Sequence, residues 1–182
     1  ITASVFGGEI DEFMRTSSQG AGLRVIKDNK AGFAYTVLLD DASEVAKLAV
    51  SNAGIADADE NFNIYAGEMD YAKSPAAGDM PDSSDVVNIA MELYDYSMGI
   101  QHAHNVQMCA AEAEQSQIVI ANTNGILAQH SRSDVVVAVD VVARRDDWTE
   151  SGFSFDVGKE LRELDVRSTA EDAMRRALEY YG

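Results

Sequence analysis

Apolar and polar positions along this chain repeat with two periods, and the switches between them mark its elements. Residues 23–27 read as a strand, Asp28-Asn29-Lys30 as a hairpin turn, and residues 32–38 as the returning strand. Asp40, Asp41 and Ser43 supply capping oxygens for a helix with apolar positions Val45, Leu48 and Ala49, stopped by Asn52 and Gly54. Before this hairpin, Gly7-Gly8 forms a turn, Ile10, Phe13 and Met14 interrupt polar neighbours, and Gly20-Ala21-Gly22 breaks the chain. Residues 55–84, with Pro75, Pro81, aspartates and glycines, read as a long linker pinned to the surface by Phe62, Ile64 and Tyr65.

The second half begins with a helix capped by Ser83 or Ser84, whose stripe is Val86, Ile89, Ala90, Leu93, Tyr96, Ser97 and Ile100. Strands return from Val106. Residues 116–121 and 126–131 flank Asn122-Thr123-Asn124-Gly125, whose Asn-Gly pair is a hairpin signal. Residues 134–143 are valine-rich and β-prone, a turn follows at 144–147, and residues 151–157 pair back. Ser168-Thr169-Ala170-Glu171 reads as a capping box opening a last helix that buries Ala170, Met174, Ala177, Leu178 and Tyr181.

The order strand, strand, helix thus occurs twice. Gly32-Phe33-Ala34-Tyr35 in the first copy answers Gly152-Phe153-Ser154-Phe155 in the second, which places Phe33 and Phe153 in equivalent positions. In such a duplication the helix at 84–100 opens the second copy, and its counterpart falls before Ile1. The expected fold is α+β: two related subdomains of β-hairpins with packed helices around a mixed or antiparallel sheet. The expected boundaries are 1–72 for the first subdomain and 73–182 for the second.

Charge narrows the possible partners. Thirty-one acidic against 14 basic residues give a net charge of −17, which repels phosphate backbones, and the one basic pair, Arg144-Arg145, is cancelled by Asp146-Asp147. Nucleic acid is therefore not an expected partner. The longest uncharged apolar run, 135–139, is far short of a membrane span, and no signal peptide is visible. A single cysteine, Cys109, agrees with a reducing, cytoplasmic compartment. Ile1 in place of methionine suggests a processed or trimmed chain.

Chemistry-bearing residues are sparse. His102 and His104, two apart at the end of a helix, share a face only in extended backbone, and no Glu-x-x-His or cysteine partner lies near. His130 stands alone after a hairpin. Cys109, between Met108 and Ala110, reads as a buried, inert thiol. Glu112 and Glu114 share one face of a strand, which suits a solvated edge better than acid–base catalysis. Gly20-Ala21-Gly22 lacks the third glycine of a dinucleotide fingerprint, and no serine sits in a Gly-x-Ser-x-Gly context. Tyr94, Tyr96, Tyr180 and Tyr181 fit helix packing. No catalytic and no metal-ligating residue is assigned, and the substrate-binding residues are left open.

Three segments carry a family resemblance. They are Gly22-Leu23-Arg24-Val25-Ile26 through Gly32-Phe33-Ala34-Tyr35-Thr36; Ile120-Ala121-Asn122-Thr123-Asn124-Gly125; and Arg144-Arg145-Asp146-Asp147 leading to Ser151-Gly152-Phe153, then residues 161–165 and the closing helix. In order and spacing they resemble the N-terminal half of the TldD/PmbA family, whose older label is modulator of DNA gyrase. The resemblance implies a cytoplasmic metallopeptidase built from two related subunits, a homo- or heterodimer, that degrades or trims unfolded or small peptides. It places zinc in the TldD-type subunit, on a His-Glu-x-x-x-His motif beyond the matched region. No His-Glu pair occurs in this chain, and the Leu-x-x-Leu-Asp run at 161–165 leans toward the PmbA type. The family's first helix and strand are expected before Ile1, and its C-terminal domain after Gly182. The expectation is a non-catalytic N-terminal domain, inactive alone, that contributes substrate enclosure and subunit contacts. The alternative is a stand-alone protein-interaction module.

Overall fold

The structure, a computed structural model, describes residues 1–67 and 77–179. The middle of the linker read from the sequence, with Pro75, lies outside the described residues, as do Tyr180 and Tyr181. The chain divides into two compact units, one of residues 1–15, 73–118 and 130–182 and the other of residues 16–72 and 119–129. The elements form an α+β fold, with antiparallel strand pairing in both sheets.

The larger unit is built on a five-stranded sheet. Strands β1 (Thr2–Phe6), β2 (Glu9–Met14), β5 (Ala103–Ala121), β6 (Leu127–Arg145) and β7 (Trp148–Gly158) lie in the order β2-β1-β5-β6-β7. Two helices belong to this unit, α2 (Ser83–Gly99) and α3 (Val166–Leu178). β6 explains the one-sided core. Val135, Val137, Val139 and Val141 are buried and join one apolar cluster with Val86 and Leu93 of α2 and Ala170, Ala173 and Ala177 of α3. Alternate residues of a strand point to opposite faces, so Val136, Ala138 and Asp140 stand on the other side. Leu93 is fully buried, which contributes roughly 1.5–3 kcal/mol.

Several sequence expectations need correction. β1 carries the buried Ala3 and Val5 but was not recognised, because five residues are too few to show a period. The strands read at 106, 116–121, 126–131 and 134–143 are parts of two 19-residue strands, β5 and β6. α2 is preceded by Asp82 rather than capped by Ser83 or Ser84, and of its stripe Ile89, Tyr96 and Ile100 are only half-buried. α3 is capped by Asp165, three residues before the first residue of the expected capping box. Asp165 accepts from the Ser168 amide at 2.9 Å, and its own amide donates to Asp156 at 2.8 Å.

The smaller unit contains the hairpin β3 (Ala21–Lys27) and β4 (Lys30–Thr36), with α1 (Ala42–Ile55) packed on it. Asp28 and Asn29 take φ of 53° and 59°, the two left-handed positions of a tight hairpin turn. α1 runs past both expected stop residues. Asn52 instead donates from Nδ2 to the Phe33 carbonyl at 2.8 Å, tying the helix to β4. Its buried face is Val45, Ala49 and Ala53, while Leu48 is exposed.

The sequence repeat corresponds to a repeated packing contact. A Cβ placed on Gly32 would lie 2.9 Å from the Ala53 Cα, closer still to the Ala53 amide nitrogen and closest to the Ala49 carbonyl oxygen. A Cβ on Gly152 would lie 3.0 Å from the Ala177 Cα, and nearer again to the Ala177 nitrogen and the Ala173 carbonyl oxygen. In both units a strand glycine therefore touches bare helix backbone at two alanines four residues apart. The partners across the hairpins also correspond: Gly32 faces Val25 and Gly152 faces Val141, while Phe33 faces Arg24 and Phe153 faces Asp140.

This contact leaves no room for a methyl group. Gly152→Ala and Gly32→Ala should each lose about 2–3 kcal/mol or more, at the upper end of overpacking costs, because the obstruction is backbone rather than a movable side chain. Gly54→Ala in α1, where an added Cβ meets nothing within 4 Å, should be neutral or stabilising by up to about 1 kcal/mol. Urea denaturation midpoints of the three variants check this.

Candidate functional site

The candidate chemistry read from the sequence does not converge. His102 is half-buried in the turn between α2 and β5, with φ of 76°, and its carbonyl accepts the Arg144 amide at 2.9 Å. His104 is exposed on β5 and His130 is exposed on β6. Among the described residues no three His, Cys, Asp or Glu side chains gather where they could hold a metal ion, so the residues present do not fit a zinc site. Cys109 is buried, and its thiol donates to the Ala90 carbonyl at 3.4 Å. Burial pushes this thiol from an ordinary value of 9.0 up to about 12, leaving it protonated and unreactive at neutral pH.

What the fold does assemble is a surface. With Gly152 and Ser154 turned inward, the period of β7 sends Phe153, Phe155 and Val157 outward, at 43%, 57% and 51% exposure. The two rings lie 6.0 Å apart between centroids. Asp140, Ala138 and Val136 of β6 stand directly opposite them. On β5 Ala111 and Ala113 are buried and the alternate Glu112 and Glu114 are exposed on the opposite face, solvated as the sequence suggested, but β5 is the central strand of the sheet and not an edge. These glutamates line a cleft of about 340 Å³ with Ser116, Arg132, Asp134, Val136 and Val157.

The charges on this face differ in how well they are matched. The Lys159 ammonium, 2.6 Å from Asp134, together with the Arg132 guanidinium, holds the Asp134 carboxyl below the usual carboxylate range. Asp140 has no such partner: its Oδ1 is shut off from solvent and makes no hydrogen bond among the described residues. Asp140 is not singled out by the sequence, and Phe155 only as part of the Gly-aromatic repeat. The alternation of small and aromatic residues in Gly-Phe-Ser-Phe, opposite an aspartate within a valine run, is the signal that marks this face.

The smaller unit repeats the outward aromatic row with Phe33, Tyr35 and Val37, all more than half exposed. Their rings lie across glycines, Phe33 against Gly22 of β3 and Tyr35 against Gly20 just before that strand. The asparagines of the β5–β6 turn have a structural role here. Asn122 Oδ1 accepts from the amides of Asn124 and Ile126 at 3.0 and 3.2 Å, and Nδ2 of Asn122 and of Asn124 donates to the carbonyls of Tyr65 and Ile64 at 2.9 and 3.0 Å. They close the turn and fasten the start of the long linker.

Residues 1–53 match the PmbA/TldA metallopeptidase domain 1, and residues 77–180 match the PmbA/TldA metallopeptidase central domain. The chain belongs to the PmbA/TldD family. No curated protein sequence matches it significantly. Among solved structures, TldE from Thermococcus kodakarensis is similar over 100% of this chain and 42% of its own, at 19% identity and a TM-score of 0.89. A candidate modulator of DNA gyrase from Thermotoga maritima is similar over 97% of this chain and 41% of its own, at 16% identity and a TM-score of 0.86. Another such candidate, from Bacteroides thetaiotaomicron, covers 97% and 42%, at 12% identity and a TM-score of 0.78. These likenesses establish a shared PmbA/TldD fold, and the chain spans about two fifths of the length of those structures. No helix among the described residues is long and apolar enough to cross a membrane.

The buried thiol gives a direct check on the core of this PmbA/TldD chain. Iodoacetamide at neutral pH should leave Cys109 unmodified in the native protein and alkylate it fully in denaturant, as read by intact mass. Because the folded value lies above the unfolded one, the thiol's contribution to stability is complete below about pH 9 and is lost as pH rises toward about 12.

Proposed function

We propose that this chain is a non-catalytic N-terminal part of a PmbA/TldD peptidase complex, of the PmbA type. Its role is to help enclose peptide substrate and to contact a related subunit. The observation that carries this reading is the pair of outward apolar rows, Phe33 and Tyr35 on β4 with Val37 just past its end, and Phe153, Phe155 and Val157 on β7, each beginning beside a glycine that packs on helix backbone. Contiguous exposed apolar rows on a folded domain mark surfaces that meet another molecule. Membership in a family named for metallopeptidase domains supports peptide as that molecule. The zinc chemistry of such a complex needs three protein ligands around an open position, which polarise a carbonyl and activate water. In this reading those ligands lie outside the residues described here, and the partners are a related subunit and unfolded or small peptides in the cytoplasm.

Metal analysis of the chain purified without a histidine tag, paired with casein and oligopeptide digestion, tests the assignment. The expected outcome is substoichiometric zinc and no chelator-sensitive cleavage. Stoichiometric zinc accompanied by chelator-sensitive cleavage would overturn it, with His102 and His104 as the first positions to mutate.

A further inference from the structure

The β3–β4 hairpin carries a pocket that neither the family match nor the proposed role assigns. Residues 58–63 return to the hairpin after α1 and are held there. Lys30 forms an isolated antiparallel bridge with Ala58, and the Asp59 amide donates to the Asn29 carbonyl at 2.8 Å. Asp59 then closes a turn. Its Oδ1 accepts from the amide and the Nδ2 of Asn61 at 2.9 and 2.8 Å, and its carbonyl accepts from the Phe62 amide at 3.0 Å. A cavity of about 460 Å³ is lined by Arg24, Ile26 and Phe33 of the hairpin together with Asn61, Phe62 and Asn63 of the turn. That volume is in the range of small-molecule sites, where a few polar groups stand among apolar walls.

Arg24 is the only cation in that lining, and it makes no ion pair among the described residues. It stands directly across the ladder from Phe33, so the guanidinium and that ring share one face of the hairpin. A guanidinium offers two parallel N–H donors that match a carboxylate, and it gives up its water more readily than an ammonium does. Phe33 and Phe62 add flat apolar surface beside it, against which a second ring packs offset or edge-on. We infer that this pocket binds a small monocarboxylate carrying a flat ring, with the carboxylate on Arg24 and the ring against Phe33 and Phe62. Charge selects this class over phosphate esters. One arginine neutralises one charge, and a chain of net charge −17 opposes the second charge of a phosphate. The inference goes beyond the role in peptide enclosure and does not depend on it. Phe33 also belongs to the outward row, but Arg24 and Phe62 do not.

Titration of the isotope-labelled full chain with phenylacetate, followed through amide chemical shifts, tests this. Saturable shifts should appear at residues 24–33 and 59–63. Phenylacetamide lacks the charge, acetate lacks the ring and phenyl phosphate carries a second charge, so each should bind more weakly than phenylacetate. Arg24→Gln and Phe62→Ser should each weaken phenylacetate binding about ten-fold, equivalent to about 1.4 kcal/mol. Lys27→Gln removes the same charge from the same strand outside the pocket, and should leave the affinity unchanged. Arg24 and Phe62 are exposed and lie outside the buried core, and unchanged circular dichroism melts of both variants confirm that the loss is local. Absence of saturation at millimolar phenylacetate, or wild-type affinity in Arg24→Gln and Phe62→Ser, would overturn the inference. Equal binding of phenylacetamide or acetate, tighter binding of phenyl phosphate, or an equal loss in Lys27→Gln would overturn it too.

Discussion

The approach of strand backbone to helix backbone at Gly152 and Gly32 is the constraint on which the rest of the structure depends. At each point a glycine lies against the backbone of two alanines one turn apart, and a Cβ on the glycine would meet that backbone. α3 buries Ala173 and Ala177 there and α1 buries Ala49 and Ala53, in an interior composed largely of alanine and valine. A core of small residues gains little from each side chain and relies on close, extensive contact.

The same constraint sets the surface. A strand with glycine facing the helix has its neighbours facing away, so Phe33 and Tyr35 after Gly32, and Phe153 and Phe155 after Gly152, are directed to solvent by the period of two. In this way a packing requirement inside produces an apolar row outside. Its repetition in both units shows one solution used twice. On β7 the row stands opposite Asp140, whose Oδ1 makes no hydrogen bond among the described residues, and Val157 shares a cleft with Glu112 and Glu114 of β5.

Much of this was legible in the residues. The Asp28-Asn29 and Asn-Gly turns, the three helices and the Gly-aromatic repeat could be read because turn chemistry and periodicity are local. The meaning of the repeat was not: that the glycine touches a helix 21 or 25 residues later depends on tertiary placement. Leu48 was expected inside because leucine usually is, yet α1 buries the narrower alanine stripe that fits against Gly32. The cap of α3 was misplaced because Asp165 and Ser168 both suit that role, and only the Asp156 bond to the Asp165 amide decides between them. Asp140 went unnoticed because a single aspartate in a valine run reads as alternation. Its unmatched oxygen is a property of the folded face.

Nuclear Overhauser contacts in the isotope-labelled native protein measure the central contact without any mutation. One α-proton of Gly152 points where a Cβ would meet the Ala177 amide, and one of Gly32 points likewise toward Ala53. Both glycines should show strong cross-peaks to those amides. Gly152 or Gly32 lacking that cross-peak while the strand-to-strand peaks of its hairpin persist would mean that helix and strand stand apart, and would contradict the account.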